Sequence, residues 1–357
     1  MKPPAHVLVV VTRRIGDVLL TTPLIRSLKR AWPQAQIDAL VFAGTEGVLA
    51  GNPDIRQVIT IAERPSISAH LALATRIFRR YDLALSVVPS DRPTVYAWLA
   101  APARAGLVVD EPKQSFKKSL LGRWVAFDNS NTHTVLMHLK LADAIGIAPI
   151  SQIVLADSND SAADVALRLS FEPETRFVFF HPFPKFNYKM WRREAWIELG
   201  AHLTARGLRV VLTGGPDESE RAYVESIARE IPGATSFAGQ LTLAETASVL
   251  RHARAYVGPD TAVTHMAAAT GVPVIALFGP GNPVKWGPWP HGFTRLENPW
   301  RRLGSQRVNN VTLLQSPEMC VPCLHEGCER HTGSYSDCLQ QLPVNRIIAA
   351  LDAALAS

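Results

Sequence analysis

The chain has 357 residues, 47% hydrophobic and 19% charged, a globular composition that excludes disordered, fibrous and low-complexity classes and whose length favours two domains. Lys and Arg outnumber Asp and Glu by 37 to 31, and the front half holds the whole excess: residues 1–150 carry 18 basic and 11 acidic side chains, residues 151–357 carry 19 and 20. Such a half suits an anionic partner, whether nucleic acid, a phosphorylated substrate or a membrane surface, or is simply a solvated face.

The first apolar run, 7–11, is too short to span a bilayer, lacks a cleavage site and runs into Arg13 and Arg14, so it reads as a buried strand. No later stretch supplies about 18 uninterrupted apolar residues. A cytoplasmic protein, soluble or peripheral, is expected.

In chain order, the patterns predict a strand over 6–12, a helix over 17–32 ending before Pro33, and strands over 36–42 and near 58–61. A helix over 69–80 and strands over 83–88 and 104–108 follow. The alternation weakens over 110–131, where Lys113, Lys117, Lys118 and Arg123 accompany Phe116 and Trp124 in a basic loop or short helix. Residues 156–175 read as a polar linker with a short helix. A second series has strands over 177–181, 208–213, 255–258 and 272–278, with helices over 193–206, 218–230, 243–252 and 261–270. Parallel strands need helical crossovers, so the fold class is α/β with two Rossmann-like, doubly wound domains, 1–155 and 176–342. The tail 343–357 is an apolar-striped helix expected to pack back on the first domain.

Ligands of such sheets gather at the carboxyl ends of strands, beside helix N-termini. Three turns stand out there. In Arg14-Ile15-Gly16-Asp17, the aspartate is either a helix cap or a carboxylate placed to accept a proton. In Gly258-Pro259-Asp260-Thr261-Ala262-Val263-Thr264-His265, Asp260 is a candidate cap and the following N–H groups can hold a diphosphate. His265 lies one turn on, as a ligand contact or a packing residue. In Thr213-Gly214-Gly215-Pro216, adjacent glycines let a ligand approach the backbone. Neither a Walker loop nor a GxGxxG dinucleotide motif occurs.

These turns, with Val18-Leu19-Leu20-Thr21-Thr22-Pro23-Leu24, Asn52-Pro53, Lys189 two before Trp191, and Leu277-Phe278-Gly279, resemble the ADP-heptose:lipopolysaccharide heptosyltransferases of glycosyltransferase family 9. The first-half details are most similar to the subgroup adding the third inner-core heptose. The resemblance implies a GT-B fold with a central cleft. An acceptor-binding N-terminal domain would face a nucleotide-sugar domain, with inverting transfer at the cytoplasmic face of the inner membrane. It implies Asp17 as base and Lys189, with Lys185 as competitor, as the charge that neutralises the leaving diphosphate. Thr213, Gly214, Glu218, Leu241, Asp260, Thr261, Ala262 and His265 would serve ADP-heptose. Ala262 stands where many members have glycine. Arg14, Lys113, Lys117, Lys118 and Arg123 would meet the anionic lipopolysaccharide core. No cofactor is expected in catalysis, and no Asp-x-Asp pair occurs at these turns. Another nucleotide sugar or a protein acceptor is the alternative within the family. Nucleic-acid binding by the basic half is the alternative outside it, disfavoured because no stacking series of aromatics accompanies the charge.

All four cysteines, Cys320, Cys323, Cys328 and Cys338, fall in the loop 318–340. Four sulfurs favour structural zinc or iron, with His325 and His331 as alternative ligands. Disulfides or reduced packing thiols are the competing readings.

Overall fold

The computed structural model describes residues 2–170 and 175–356, so residues 171–174 of the expected linker lie outside it. The chain divides into two compact units, one of Met1–Ala156 with Thr294–Asn298, the other of Asp157–Phe293 with Pro299–Ser357.

The first unit runs β1 (His6–Val11), α1 (Ile15–Leu19), α2 (Thr22–Ala31), β2 (Gln36–Phe42), β3 (Gln57–Ile61), α3 (Ile67–Ile77), β4 (Leu83–Ser86), α4 (Asp91–Ala100), β5 (Ala103–Val108), α5 (Ser115–Leu121), β6 (Arg123–Ala126) and α6 (Thr134–Ile145). Its strands form one parallel sheet in the order β3-β2-β1-β4-β5-β6. The run of valines in β1 is buried along its length, as a central strand covered on both faces requires. The expected helix over 17–32 is broken in two. Pro23 has no N–H to give the Leu19 carbonyl, and the Thr22 hydroxyl donates to it instead, at 2.8 Å. The basic stretch is resolved into α5 and β6, so Trp124 lies on a strand rather than in a loop.

One charge is buried inside this sheet. Asp38 on β2 is fully buried and accepts from Arg56 Nε at 2.9 Å and from the Tyr81 hydroxyl at 2.8 Å. Burial and the hydrogen bond to Asp38 push the tyrosine hydroxyl up, while the carboxylate raises Arg56.

The second unit runs α7 (Ala162–Leu169), β7 (Phe177–Phe180), α8 (Arg193–Thr204), β8 (Arg209–Leu212), α9 (Glu218–Ala228), β9 (Thr235–Ser236), α10 (Leu243–His252), β10 (Ala255–Pro259), α11 (Ala262–Thr270), β11 (Val274–Phe278), α12 (Pro283–Trp286), β12 (Gln306–Val308), β13 (Val311–Gln315), α13 (Asp337–Gln340) and α14 (Val344–Ala356). Its sheet has the order β12-β13-β11-β10-β7-β8-β9, parallel except for the edge pair β12 and β13. Leaving out β12, both sheets have the same doubly wound order. The terminal helix packs its apolar stripe within the unit to which it belongs. Val344, Ile347, Leu351 and Ala354 enter the second unit's own core, with Trp191, Trp196 and Leu199.

Candidate active site

In a doubly wound sheet the crevice opens where strand order reverses. That point lies between β1 and β4 in the first sheet and between β7 and β10 in the second. Asp17 follows β1, and Lys189 and Asp260 follow β7 and β10, so each sheet carries its candidate residues at its own crevice.

Asp17 is the third residue of α1, whose cap position is held by Arg14 without a side-chain hydrogen bond. The capping role is therefore not the one Asp17 fills. Its carboxylate, 15% exposed, has Arg13 Nε at 3.6 Å, too long for a tight pair. Below it the Thr21 hydroxyl donates to the Asp17 carbonyl at 2.9 Å and lies 3.3 Å from Nδ1 of the buried His138, which ties the turn to α6.

The second crevice is more tightly built. Lys189 Nζ donates to Asp260 Oδ2 at 2.5 Å and to the Asp260 carbonyl at 3.3 Å, while Lys185 is exposed. The nearly buried His265 has Nε2 3.9 Å from Asp260 Oδ1. The cap of α11 is Thr261, whose side chain accepts from Thr264 N, which corrects the assignment of Asp260 to that task. Ala262 is the first helical residue, so glycine's freedom is not needed there. At Gly258 the absence of a side chain is required: a Cβ would lie 2.1 Å from Tyr256 Oη, which bonds Thr264 Oγ1 at 2.8 Å.

Thr213 directly follows β8, and its hydroxyl lies 3.2 Å from Nδ1 of His181. Burial holds that imidazole neutral, with a pKa lowered to about 4. In the Gly214-Gly215 turn, the carboxylate that folds over the backbone is Glu220, accepting from Gly215 N at 2.6 Å; burial raises its pKa. Glu218 is exposed at the start of α9, and Leu241 is half-buried just before α10. Glu220 was readable as the fourth residue of an Asp217-x-x-Glu capping signature, but its reach past the cap to Gly215 was not.

Residues 71–316 match glycosyltransferase family 9 (heptosyltransferase). The chain belongs to that family. Lipopolysaccharide heptosyltransferase 3 of Escherichia coli is 29% identical over 294 residues, covering 79% of this chain and 85% of that one. Among solved structures, a family 9 glycosyl transferase from Veillonella parvula has a TM-score of 0.78 at 18% identity, covering 99% of this chain and 97% of its own. The E. coli heptosyltransferase WaaC with ADP has a TM-score of 0.73 at 19% identity, covering 98% and 99%. The fold of this family 9 glycosyltransferase is accordingly GT-B.

The expected acceptor-side cations are largely occupied within the first unit. Lys117 is buried, with Nζ 2.8 Å from Asp91 and 3.3 Å from the Pro89 carbonyl. Lys113 pairs with Glu111 at 2.9 Å, and Lys118 pairs with Asp110 at 2.6 Å while lying 4.2 Å from the Trp124 ring centre. Arg123 donates to the Ala144 carbonyl at 2.9 Å. Acidic residues close in sequence or space, Asp91, Asp110 and Glu111, pair with the three lysines. Arg14 remains exposed beside Asp17.

No disulfide joins the four described cysteines, and burial together with the neighbouring thiols of Cys320, Cys323 and Cys328 pushes Cys338 up to about 12. Among the described residues no group of three or more His, Cys, Asp or Glu is arranged to hold a metal ion. What the cysteine loop does hold is the lysine segment. Asn187 Nδ2 donates to the Gly333 carbonyl at 3.0 Å and Gln340 Nε2 to the Met190 carbonyl at 2.8 Å, one on each side of Lys189.

Proposed function

We propose that this glycosyltransferase moves a heptose from ADP-heptose onto the inner core of lipopolysaccharide, with inversion at the anomeric carbon and without a metal in the chemical step. The observation that carries the reading is the Lys189–Asp260 pair at 2.5 Å beside the N-terminus of α11. A diphosphate arriving there meets a cation and free backbone donors, and that positive potential grows in value as charge develops on the leaving group. Asp260, an anion, orients Lys189 and offers its oxygens to sugar hydroxyls rather than to phosphate. Asp17 accepts the proton of the attacking acceptor hydroxyl, so a single displacement needs no covalent intermediate. Arg14 supplies a cation for the phosphate-bearing acceptor.

The protein works at the cytoplasmic face of the inner membrane, where such an acceptor is presented. No described helix is long and apolar enough to cross a membrane, so attachment is peripheral in this reading. The four thiols suit zinc or iron as a structural ion by donor chemistry, although their present arrangement does not coordinate one. About one equivalent of metal per chain in purified protein, lost on Cys338→Ser, would support that ion.

The test of the reaction is mass spectrometry of products from a panel of nucleotide sugars and delipidated core acceptors. A heptose-sized mass increase with ADP release is expected. A product only from another donor or on a peptide would replace the assignment.

A further inference from the structure

Helix α3 is apolar on two faces. Leu73 and Ile77 enter the core, while Ile67, Leu71 and Phe78 are 81%, 63% and 57% exposed. Spacings of four and seven put these three on one stripe. The Arg79 backbone N–H donates to the Leu99 carbonyl at 3.0 Å, which brings the end of this stripe beside the end of α4, where Trp98 is 39% exposed. The flanking charge is one-sided: residues 62–80 contain Arg64, Arg76, Arg79 and Arg80 against Glu63 alone. None of these four arginines has a carboxylate partner among the described residues, whereas Lys113, Lys117 and Lys118 all do. Positive charge without a carboxylate partner thus flanks α3, with Arg64 before it, Arg76 in its last turn and Arg79 and Arg80 after it.

We propose that the outward face of α3, with Trp98 at the end of α4, seats this unit on an anionic lipid surface. An apolar stripe with aromatic ends and basic flanks inserts among acyl chains while its arginines meet headgroup phosphates. A second copy is a poorer occupant, because a two-fold contact through this face would set these arginines against their own equivalents. The proposal rests on the reading that the acceptor is membrane-borne, and it names the surface that brings the enzyme to it.

The experiment is flotation of the full-length protein with phosphatidylcholine vesicles, with and without phosphatidylglycerol. Wild type should float only with the anionic vesicles and be released by salt. Ile67→Ser with Leu71→Ser, and separately Arg79→Glu with Arg80→Glu, should each lower the bound fraction about tenfold or more. Melting temperature and transfer to a soluble core acceptor should stay at wild-type values. Wild type that ignores anionic vesicles, or variants that float as wild type does, would overturn the proposal. So would variants whose only change is a smaller mass in light scattering, since that identifies a second copy as the occupant. Normal flotation with no transfer to any core acceptor upholds the surface and removes the reaction.

Discussion

The two crevices sit at the same topological point of two sheets with the same strand order, yet they treat their aspartates in opposite ways. Asp17 has only a loose, solvent-facing arginine at 3.6 Å, a contact worth little. Asp260 is gripped by Lys189 at 2.5 Å and packed beside His265. The difference fits the roles proposed for the two carboxylates. A base must be reachable by the proton it takes, whereas an aspartate that aims a lysine works only if it is fixed.

The comparison breaks most directly at Asp17. Asp17→Asn should lower kcat/KM about 10³-fold with unchanged melting temperature and ADP affinity; an equal loss of ADP affinity would mean that the first crevice also serves the donor. Next in size, Lys189→Ala should cost about 10² in kcat and weaken ADP binding. Because it strands Asp260, Lys189→Ala with Asp260→Asn should be less impaired than the two single losses combined, and additive losses would show that the pair does not act as a unit.

Third, His181 must become charged in acid, and its native pKa of about 4 lies below the ordinary imidazole value of 6.5. The unfolded chain binds the proton first, so stability present above pH 6.5 drains away as pH falls toward 4, by about 3 kcal/mol in all. Urea unfolding at pH 7 and pH 4.5 should show that drop in wild type and much less of it in His181→Gln. Smallest, Arg56→Ala leaves Asp38 buried without its cation and should cost about 2 kcal/mol in urea unfolding, the guanidinium being 44% exposed. Transfer kinetics should not move, because this pair is structural.

Much of this was legible from residue order. Strands such as β1 and β11 announce themselves as runs of buried Val, Ile and Leu, and the turns after β1 and β10 carry their aspartates at strand ends, where ligands gather. α4 was hidden by Pro93, which is harmless in the first turn of a helix but looks like a breaker in a linear pattern. Pairings were not legible. Nothing local says that Lys189 will find Asp260, 71 residues on, or that Lys117 will be buried against Asp91. The basic stretch shows as a run of charge along the chain, while the pairing of its lysines with Asp91, Asp110 and Glu111 happens in space.

The bracket around Lys189 has a further consequence for how the enzyme is made. Gly333 and Gln340 reach back 146 and 150 residues to either side of that lysine, and Asn298 reaches back 165 residues to bond His133 N in the first unit. Ribosomal synthesis releases the N-terminal segments first, so β1 to β6 can pair before these late pieces exist. The last contacts of both units arrive only as the tail emerges, and a nascent chain therefore carries every candidate catalytic residue before it carries the contacts that hold Lys189 in place.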